Sequence, residues 1–287
     1  MRIRMIKWLF FFSLSLTLFW FSHVITQDSL SLAEHSRVLQ NYQRIGNGSV
    51  EQRFLSLHCN QCALVSSSGQ MLGAGAGEEI DQIECVIRMN NAPTKGFEKD
   101  VGSSSSVRVV AHTSVSILMK NEKDHFQDSP ETTYVFWGPE RNMRQDGKAR
   151  VFNNIQKLAN KYPHMGIYVF TSDKVKYCDG VFQKETGKDR KKSGAYLSTG
   201  FFSMILAREM CDSIIVYGMI DDGYCSRRDR SNIPYHYYEK YKLHECAMYR
   251  SHERFKRGGH RFITEKSIFA RWAKQHQIVF KHPSWNL

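Results

Sequence analysis

Six short runs rich in β-branched or aromatic residues punctuate the chain: residues 85–89 (CVIRM), 107–111 (VRVVA), 133–137 (TYVFW), 166–170 (GIYVF), 214–217 (IIVY) and 278–280 (IVF). They alternate with segments of helical length near residues 150–162, 174–185, 200–210 and 265–275. Strands separated by helices are joined by crossovers, and crossovers make neighbouring strands parallel. The expected fold is therefore a single α/β domain around a mostly parallel, doubly wound sheet. Roughly 230 residues carry this pattern, enough for one domain with a substantial core, and no internal repeat or low-complexity tract interrupts it.

Two glycine- and serine-rich segments stand out within that frame, residues 62–81 (CALVSSSGQMLGAGAGEEID) and 197–219 (LSTGFFSMILAREMCDSIIVYGM). Each couples a strand-like run to a helix-like run, and each holds one cysteine. In an α/β sheet the strand-to-helix turn lies at the carboxyl edge of the strands, where ligands collect. Small residues let the backbone approach a ligand, and the free amides of a helix start favour an anion. Residues 63–67 supply a short strand, with Ser68 and Gly69 as the turn. Ser198, Thr199 and Gly200 open the second helix, with Ser198 as its N-cap. Asn90 ends the run CVIRM and begins a sharp turn, so it is placed either to hydrogen-bond a base or sugar or simply to make that turn.

The N-terminal region indicates where the domain works. Residues 8–25 are almost unbroken in apolar character and are preceded by Arg2, Arg4 and Lys7. Such a stretch is long enough to cross a bilayer, and the basic flank keeps the N-terminus cytoplasmic. A cleaved signal peptide ends in small residues, whereas Phe19, Trp20, Phe21 and His23 offer no such site, so the stretch reads as an uncleaved signal-anchor. The expected organisation is a cytoplasmic tail (1–7), an anchor (8–25), a short polar lumenal stem (26–57) and a globular domain (58–287). Asn47 opens an N-glycosylation sequon, and seven cysteines suit an oxidising lumen. The formal charge of +12 then argues less for nucleic acid, which a lumenal domain does not meet, than for an acidic sugar nucleotide, an acidic glycan or a membrane surface. Residues 184–192 (KETGKDRKK) and 227–230 are the densest basic runs, and each taken alone reads as a solvated surface.

Candidate chemistry lies near the C-terminus. His236 sits in YHYYE after Pro234, and His260 in HRFITE ahead of a helix containing Ile268, Phe269 and Trp272. An imidazole can accept a hydroxyl proton near neutral pH or, when protonated, stabilise a leaving phosphate. Glu265 either orients His260 or serves as a first-turn acid of the helix. No HExxH, paired CxxC or spaced acidic motif is present, and Asp221-Asp222 lacks a third acid, so no metal site is expected.

Taken together, the chain resembles the animal sialyltransferase family along nearly all of its lumenal part. Residues 62–113 are similar to the family's long motif, 197–219 to its short motif, 236–239 to its third motif, and His260 with Glu265 to its very short H-x4-E motif. SSSGQMLG, RMNNAPTKGFEKDVG, ETGKDR, LSTG, YHYYEK and HRFITEK resemble the branch that adds α2,6-linked sialic acid to N-acetylgalactosamine in already sialylated chains. Types III and IV of that branch are the most similar, with types V and VI as alternatives.

The resemblance implies a modified Rossmann-like domain, a GT-A variant, in a single-pass type II protein of the Golgi membrane. It further implies CMP-sialic acid as donor, a sialylated Galβ1-3GalNAc acceptor on glycoprotein or ganglioside, inversion at the anomeric carbon, and neither cofactor nor metal. Carried over by position, it makes Cys62 and Cys211 a disulfide pair and places Gln70, Asn90, Ser198 and Gly200 around the cytidine monophosphate, with Tyr196 and Gly223 as further donor-site candidates. His236 would contact the donor phosphate and His260 would be the base. Departures at Ser67, where many members carry asparagine, and Leu197, where many carry proline, bear on local phosphate and ribose contacts. Among the remaining cysteines, Cys59 is expected to bridge elsewhere, Cys225 and Cys246 suit a short loop, and an odd total leaves at least one thiol unpaired or joined to another chain. The competing function is a catalytically silent lumenal protein that binds sialylated glycans or organises other transferases.

Overall fold

The computed structural model describes residues 38–46, 54–227, 232–239 and 243–287. The expected anchor, the Asn47 sequon and most of the stem lie outside the described residues, among which no helix is long and apolar enough to cross a membrane. The described residues from 39 onward, apart from 56–58, belong to one compact unit, which holds the α/β domain.

Nine strands form one sheet: β1 (Val38–Arg44), β2 (Phe54–Ser56), β3 (Cys59–Val65), β4 (Cys85–Met89), β5 (Val107–Ala111), β6 (Thr133–Trp137), β7 (Ile167–Phe170), β8 (Cys211–Tyr217) and β9 (Ile278–Lys281). Their order is β2-β1-β7-β6-β5-β4-β3-β8-β9. From β7 to β9 every pairing is parallel. The chain builds outward from β3 to β7 and then returns to lay β8 and β9 on the other side of β3. The order thus reverses between β3 and β8, and the carboxyl ends of those strands flank a topological switch point, where open α/β sheets bind ligands.

Among the described residues five helices run ten residues or more: α1 (Arg150–Lys161), α2 (Ser172–Thr186), α3 (Thr199–Met210), α4 (Glu245–Arg254) and α5 (Phe262–Ala273). On one face Phe152, Ile155 and Leu158 of α1 pack with Val110, Tyr134, Phe136, Ile167 and Val169 of the sheet. The helix α3 crosses β3, β4 and β5 and buries Phe201, Phe202, Met204, Ile205, Leu206 and Ala207. Apolar residues at successive positions leave this helix no solvent face, which marks it as central. Each of its large side chains contributes roughly 1.5–3 kcal/mol by burial.

One expectation changes. The segment 26–57 is not wholly a stem: β1 is part of the sheet and pairs antiparallel with β7, Tyr42 opposite Phe170. Tyr42 is buried and its hydroxyl donates to Glu209 Oε2 at 2.9 Å. The run VLQNYQR conceals a strand because its polar residues sit towards the sheet's margin and Asn41 takes a left-handed backbone, φ 68°. The disulfides, by contrast, include the expected pair. Cys62 and Cys211 are bridged, as are Cys59 with Cys85 and Cys225 with Cys246. The unpaired seventh is Cys178, buried, its thiol pushed up to about 12 by desolvation. Cys211 opens β8 and Cys62 lies three residues before the end of β3, so the bridge joins the two walls away from the carboxyl edge.

A Cys62→Ser, Cys211→Ser variant is expected to lose about 2–5 kcal/mol of stability while still binding CMP below its melting temperature. Calorimetric titration with CMP checks this, and loss of binding by a folded variant would show that the bridge holds the ligand site together.

Candidate active site

A cavity of about 490 Å³ opens at the carboxyl edge of the sheet, lined by the ends of β4, β5 and β6, by residues 66–68 after β3, and by the start of α3. Asn90, Tyr196, Ser198, Gly200, His236 and His260, six of the residues singled out from the sequence, line it together.

The first wall is the turn after β3. Ser68 caps the short turn Gly69–Met71 by accepting from the Gln70 amide. Gly69 donates to the Pro234 carbonyl at 3.0 Å and the Tyr237 amide donates to the Ser67 carbonyl at 2.9 Å, which docks the His236 loop on this turn. A Cβ at Gly69 would fall 2.5 Å from the Pro234 oxygen, so the docking requires glycine there. His236 is held through Nδ1 to Glu239 Oε2 at 2.8 Å and lies between the rings of Tyr235 and Tyr238, with centroids 4.3 and 5.0 Å away.

Asn90 occupies a left-handed conformation, φ 50°, and its Oδ1 accepts from the Ala111 amide at 2.9 Å. Its carbonyl and that of Ala92 each accept from Arg108 Nη1 at 3.0 Å. With Oδ1 committed to the backbone, the side-chain NH₂ is the hydrogen-bonding edge left for a ligand.

The second wall is the start of α3. Ser198 is the N-cap, its Oγ accepting from the Phe201 amide at 3.1 Å. The amides of Thr199 and Gly200 belong to the first turn, whose donors have no partner in the helix ladder. Trp137 lies against this wall, stacked on Phe202 with centroids 4.2 Å apart.

His260 precedes α5. Its Nδ1 is 3.0 Å from the Tyr196 carbonyl, which can only accept, so Nδ1 carries the proton and Nε2 keeps its lone pair. Its ring stacks on His252, centroids 5.6 Å apart, and its backbone amide donates to His252 Nδ1 at 3.2 Å. Burial pushes His260 below the ordinary histidine value, opposed by the Tyr196 carbonyl.

Glu265 does not orient His260. It lies fully buried in the first turn of α5 and takes the backbone amide of Ser198 on Oε1 at 2.9 Å and the Ser198 hydroxyl on Oε2. A buried carboxylate needs donors, and these two are at the head of α3. Desolvation raises its pKa to about 7, against the Ser198 hydrogen bonds. Gln70 and Gly223 also stand away from the cavity lining. The Gln70 amide nitrogen donates to Tyr224 Oη and Glu245 Oε2, both at 3.0 Å, and Gly223 donates to Asp221 Oδ1 at 2.9 Å. Each therefore braces the loop behind the site.

Residues not anticipated from sequence include His112, Trp137, Tyr249 and Lys266, which line the cavity, and His252 behind His260. His112 and Trp137 stand at the carboxyl ends of β5 and β6, where the switch-point rule could have found them. Nothing in the local sequence distinguishes His252 from the other eleven histidines.

The sequence profile of glycosyltransferase family 29, the sialyltransferases, matches residues 12–277. The chain belongs to glycosyltransferase family 29. It is 56% identical over 236 residues to alpha-N-acetylgalactosaminide alpha-2,6-sialyltransferase 3 of Rattus norvegicus, covering 82% of this chain and 77% of that one. It is 53% identical over 227 residues to the Homo sapiens alpha-N-acetyl-neuraminyl-2,3-beta-galactosyl-1,3-N-acetyl-galactosaminide alpha-2,6-sialyltransferase, covering 79% and 75%. A mammalian sialyltransferase crystallised with Gal-beta-1-3GalNAc-ortho-nitrophenol is similar over 82% of this chain and 75% of that one, at 23% identity and a TM-score of 0.47. In this family 29 chain the long-motif and short-motif segments form the two walls of one cavity, and the third-motif and very-short-motif histidines both reach it.

Because the folded state holds the Glu265 proton up to about 7 rather than 4.5, the native chain binds more protons than the unfolded one across that window, and stability falls as pH rises through it. The fall attributable to this group is on the order of 3 kcal/mol. Glu265→Gln is expected to flatten it, measured as urea unfolding at about pH 5 and about pH 8; an unchanged slope would sink the assignment.

Proposed function

We propose that the protein transfers sialic acid from CMP-sialic acid to the C6 hydroxyl of N-acetylgalactosamine in sialylated Galβ1-3GalNAc chains, with inversion and without a metal ion. The reading includes a GT-A-variant domain held at the Golgi membrane by residues 8–25, facing the lumen. The observation that carries it is His260, whose proton is fixed on Nδ1 by the Tyr196 carbonyl and which shares one switch-point cavity with His236 and the head of α3. The names of the relatives, which specify α2,6 transfer to N-acetylgalactosaminides, support the acceptor and linkage.

The chemistry follows from these positions. The anomeric carbon of sialic acid is tertiary and bears a carboxylate, so departure of CMP runs well ahead of bond formation and the transition state is oxocarbenium-like. The acceptor C6 oxygen attacks from the face opposite the phosphate. His260 Nε2 takes its proton, the new bond joins C6–O to the anomeric carbon, and the bond to the phosphate oxygen breaks with its electron pair going to CMP. Burial keeps His260 neutral at lower pH than an ordinary histidine, so the base is in its working form near neutrality. His236 and the amides of Thr199 and Gly200 sit where a leaving phosphate is stabilised by donors at a helix start. The NH₂ of Asn90 reaches the ribose or base.

His260→Ala is expected to lower kcat by about 10²–10⁴-fold with CMP affinity unchanged, followed by product mass spectrometry and calorimetry. Full turnover by that variant would remove His260 as the base. In the wild type the acidic limb of kcat/KM is expected below pH 6.5, because burial depresses His260; a limb above that value contradicts the neutral-imidazole assignment.

A further inference from the structure

The basic run at residues 184–192 has no part in the chemistry above, yet the fold carries its end to the mouth of the active site. A single turn of helix, Arg190–Ser193, ends at Gly194 in a left-handed conformation, φ 65°. There the Gly258 amide donates to the Gly194 carbonyl, and two residues on the Tyr196 amide donates to the Gly259 carbonyl, both at 2.8 Å. These bonds lay residues 188–194 beside a second basic stretch, residues 254–257 (RFKR), from sixty residues further along. The seam runs directly into Tyr196 and His260, which line the cavity. The first stretch, which alone reads as solvated surface, and the second form one continuous lip beside the base.

The cations of this lip differ in their partners. Arg190 is satisfied by Asp179 and the Ala195 carbonyl, and Arg261 by the carbonyls of His252, Phe255 and Gly258. Lys188, Lys192, Arg254, Lys256 and Arg257 are exposed and make no ion pair among the described residues. The neighbouring acids are occupied: Asp179 by Arg190, Asp189 by the amides of Lys191 and Lys192, and Glu253 by Ile263 and Thr264. Two aromatic rings are exposed among the cations, Tyr196 at 43% and Phe255 at 44%. Five cations without an ion-pair partner among the described residues, around two exposed aromatic residues, suit a ligand that carries carboxylates on pyranose rings, whose C–H faces pack on aromatic rings and whose charge is drawn by the field of the lip.

We propose that this seam, Lys188, Lys192, Arg254, Lys256 and Arg257 around Tyr196 and Phe255, is the docking surface for the carboxylate-bearing sugars of the acceptor and of acidic chains clustered beside it. The proposal rests on the function proposed above for its geometry: an acceptor whose C6 hydroxyl meets His260 Nε2 must leave the cavity over a neighbouring lip, and this one adjoins His260. Its charge exceeds what one carboxylate needs, so the preferred acceptor carries several on one carrier.

The test is a Lys192→Gln, Arg254→Gln, Lys256→Gln, Arg257→Gln variant, all four sites being exposed, with CMP affinity and melting temperature as the check on folding. Against a multiply sialylated glycopeptide, KM is expected to rise about tenfold or more with kcat and the KM for CMP-sialic acid unchanged, and the fall of wild-type kcat/KM with added salt is expected to flatten. A singly sialylated acceptor should lose less. Calorimetric binding of the glycopeptide and its desialylated form separates this proposal from the catalytic reading: a wild type that transfers nothing yet binds only the sialylated form through these four residues fails the function and keeps the surface. Unchanged acceptor KM and binding in the folded variant overturn the proposal. So does a variant that loses only adhesion to vesicles containing phosphatidylserine, which would make the seam a membrane contact. Should the fourfold variant not fold, Lys192→Gln with Arg257→Gln is read by the same measurements.

Discussion

A carboxylate without water must be met by donors, and Glu265 finds both of its donors in Ser198. That contact joins the head of α3 to the first turn of α5 at the reversal point of the sheet. Ser198 is two residues from Tyr196, and Glu265 is five from His260, so the same contact that fixes the N-cap also brings the Tyr196 carbonyl to His260 Nδ1. The head of α3 and the segment carrying His260 are therefore tied together by one buried acid that does not touch the imidazole. The acid and the histidine are linked through a serine and a backbone carbonyl rather than by direct contact.

The other half of the site depends on close backbone approach. The His236 loop hangs from the turn after β3 by two hydrogen bonds, and glycine at position 69 is what lets Pro234 come near enough. The turn at Asn90 is held from beneath by Arg108, a guanidinium that is 5% exposed and spends Nη1 on two carbonyls. Arg88 supports the adjacent loop in the same way, through the carbonyls of Val101 and Ser104. Burying two arginines side by side is costly, and here both hold loops through their carbonyls.

Strands β4 to β9 were legible because short β-branched runs between helices admit few alternatives, and the Ser198 cap because a serine before a helical run has one common use. The strand β1 was not legible, since LQNYQR alternates weakly and its left-handed Asn41 breaks the period. The helix α4 escaped notice because ECAMYRSHER is polar and buries only Glu245, Cys246 and Tyr249. The two histidines were identifiable as candidates, but the partners of each were not, because a carbonyl sixty-four residues away leaves no mark on the sequence around His260. Gln70 and Gly223 were drawn towards the ligand by motif position alone. Spacing along the chain does not say which side of a loop a residue faces, and both face its supporting side.

β3 is the earliest of the parallel strands and lies third from one edge of the sheet, while the neighbour that completes its crevice, β8, comes from far along the chain: the cysteines that bridge them are 149 residues apart. A chain emerging from synthesis can lay down β3 to β7 in sequence, as local pairings form first. Over that time the crevice has a single wall. The second arrives with α3, and the head of α3 is not held until the residues around Glu265 have been made. The ligand site is thus among the last parts of the molecule to be completed, and an amino-terminal piece of this chain, however well its strands pair, contains one wall of it and neither His236 nor His260.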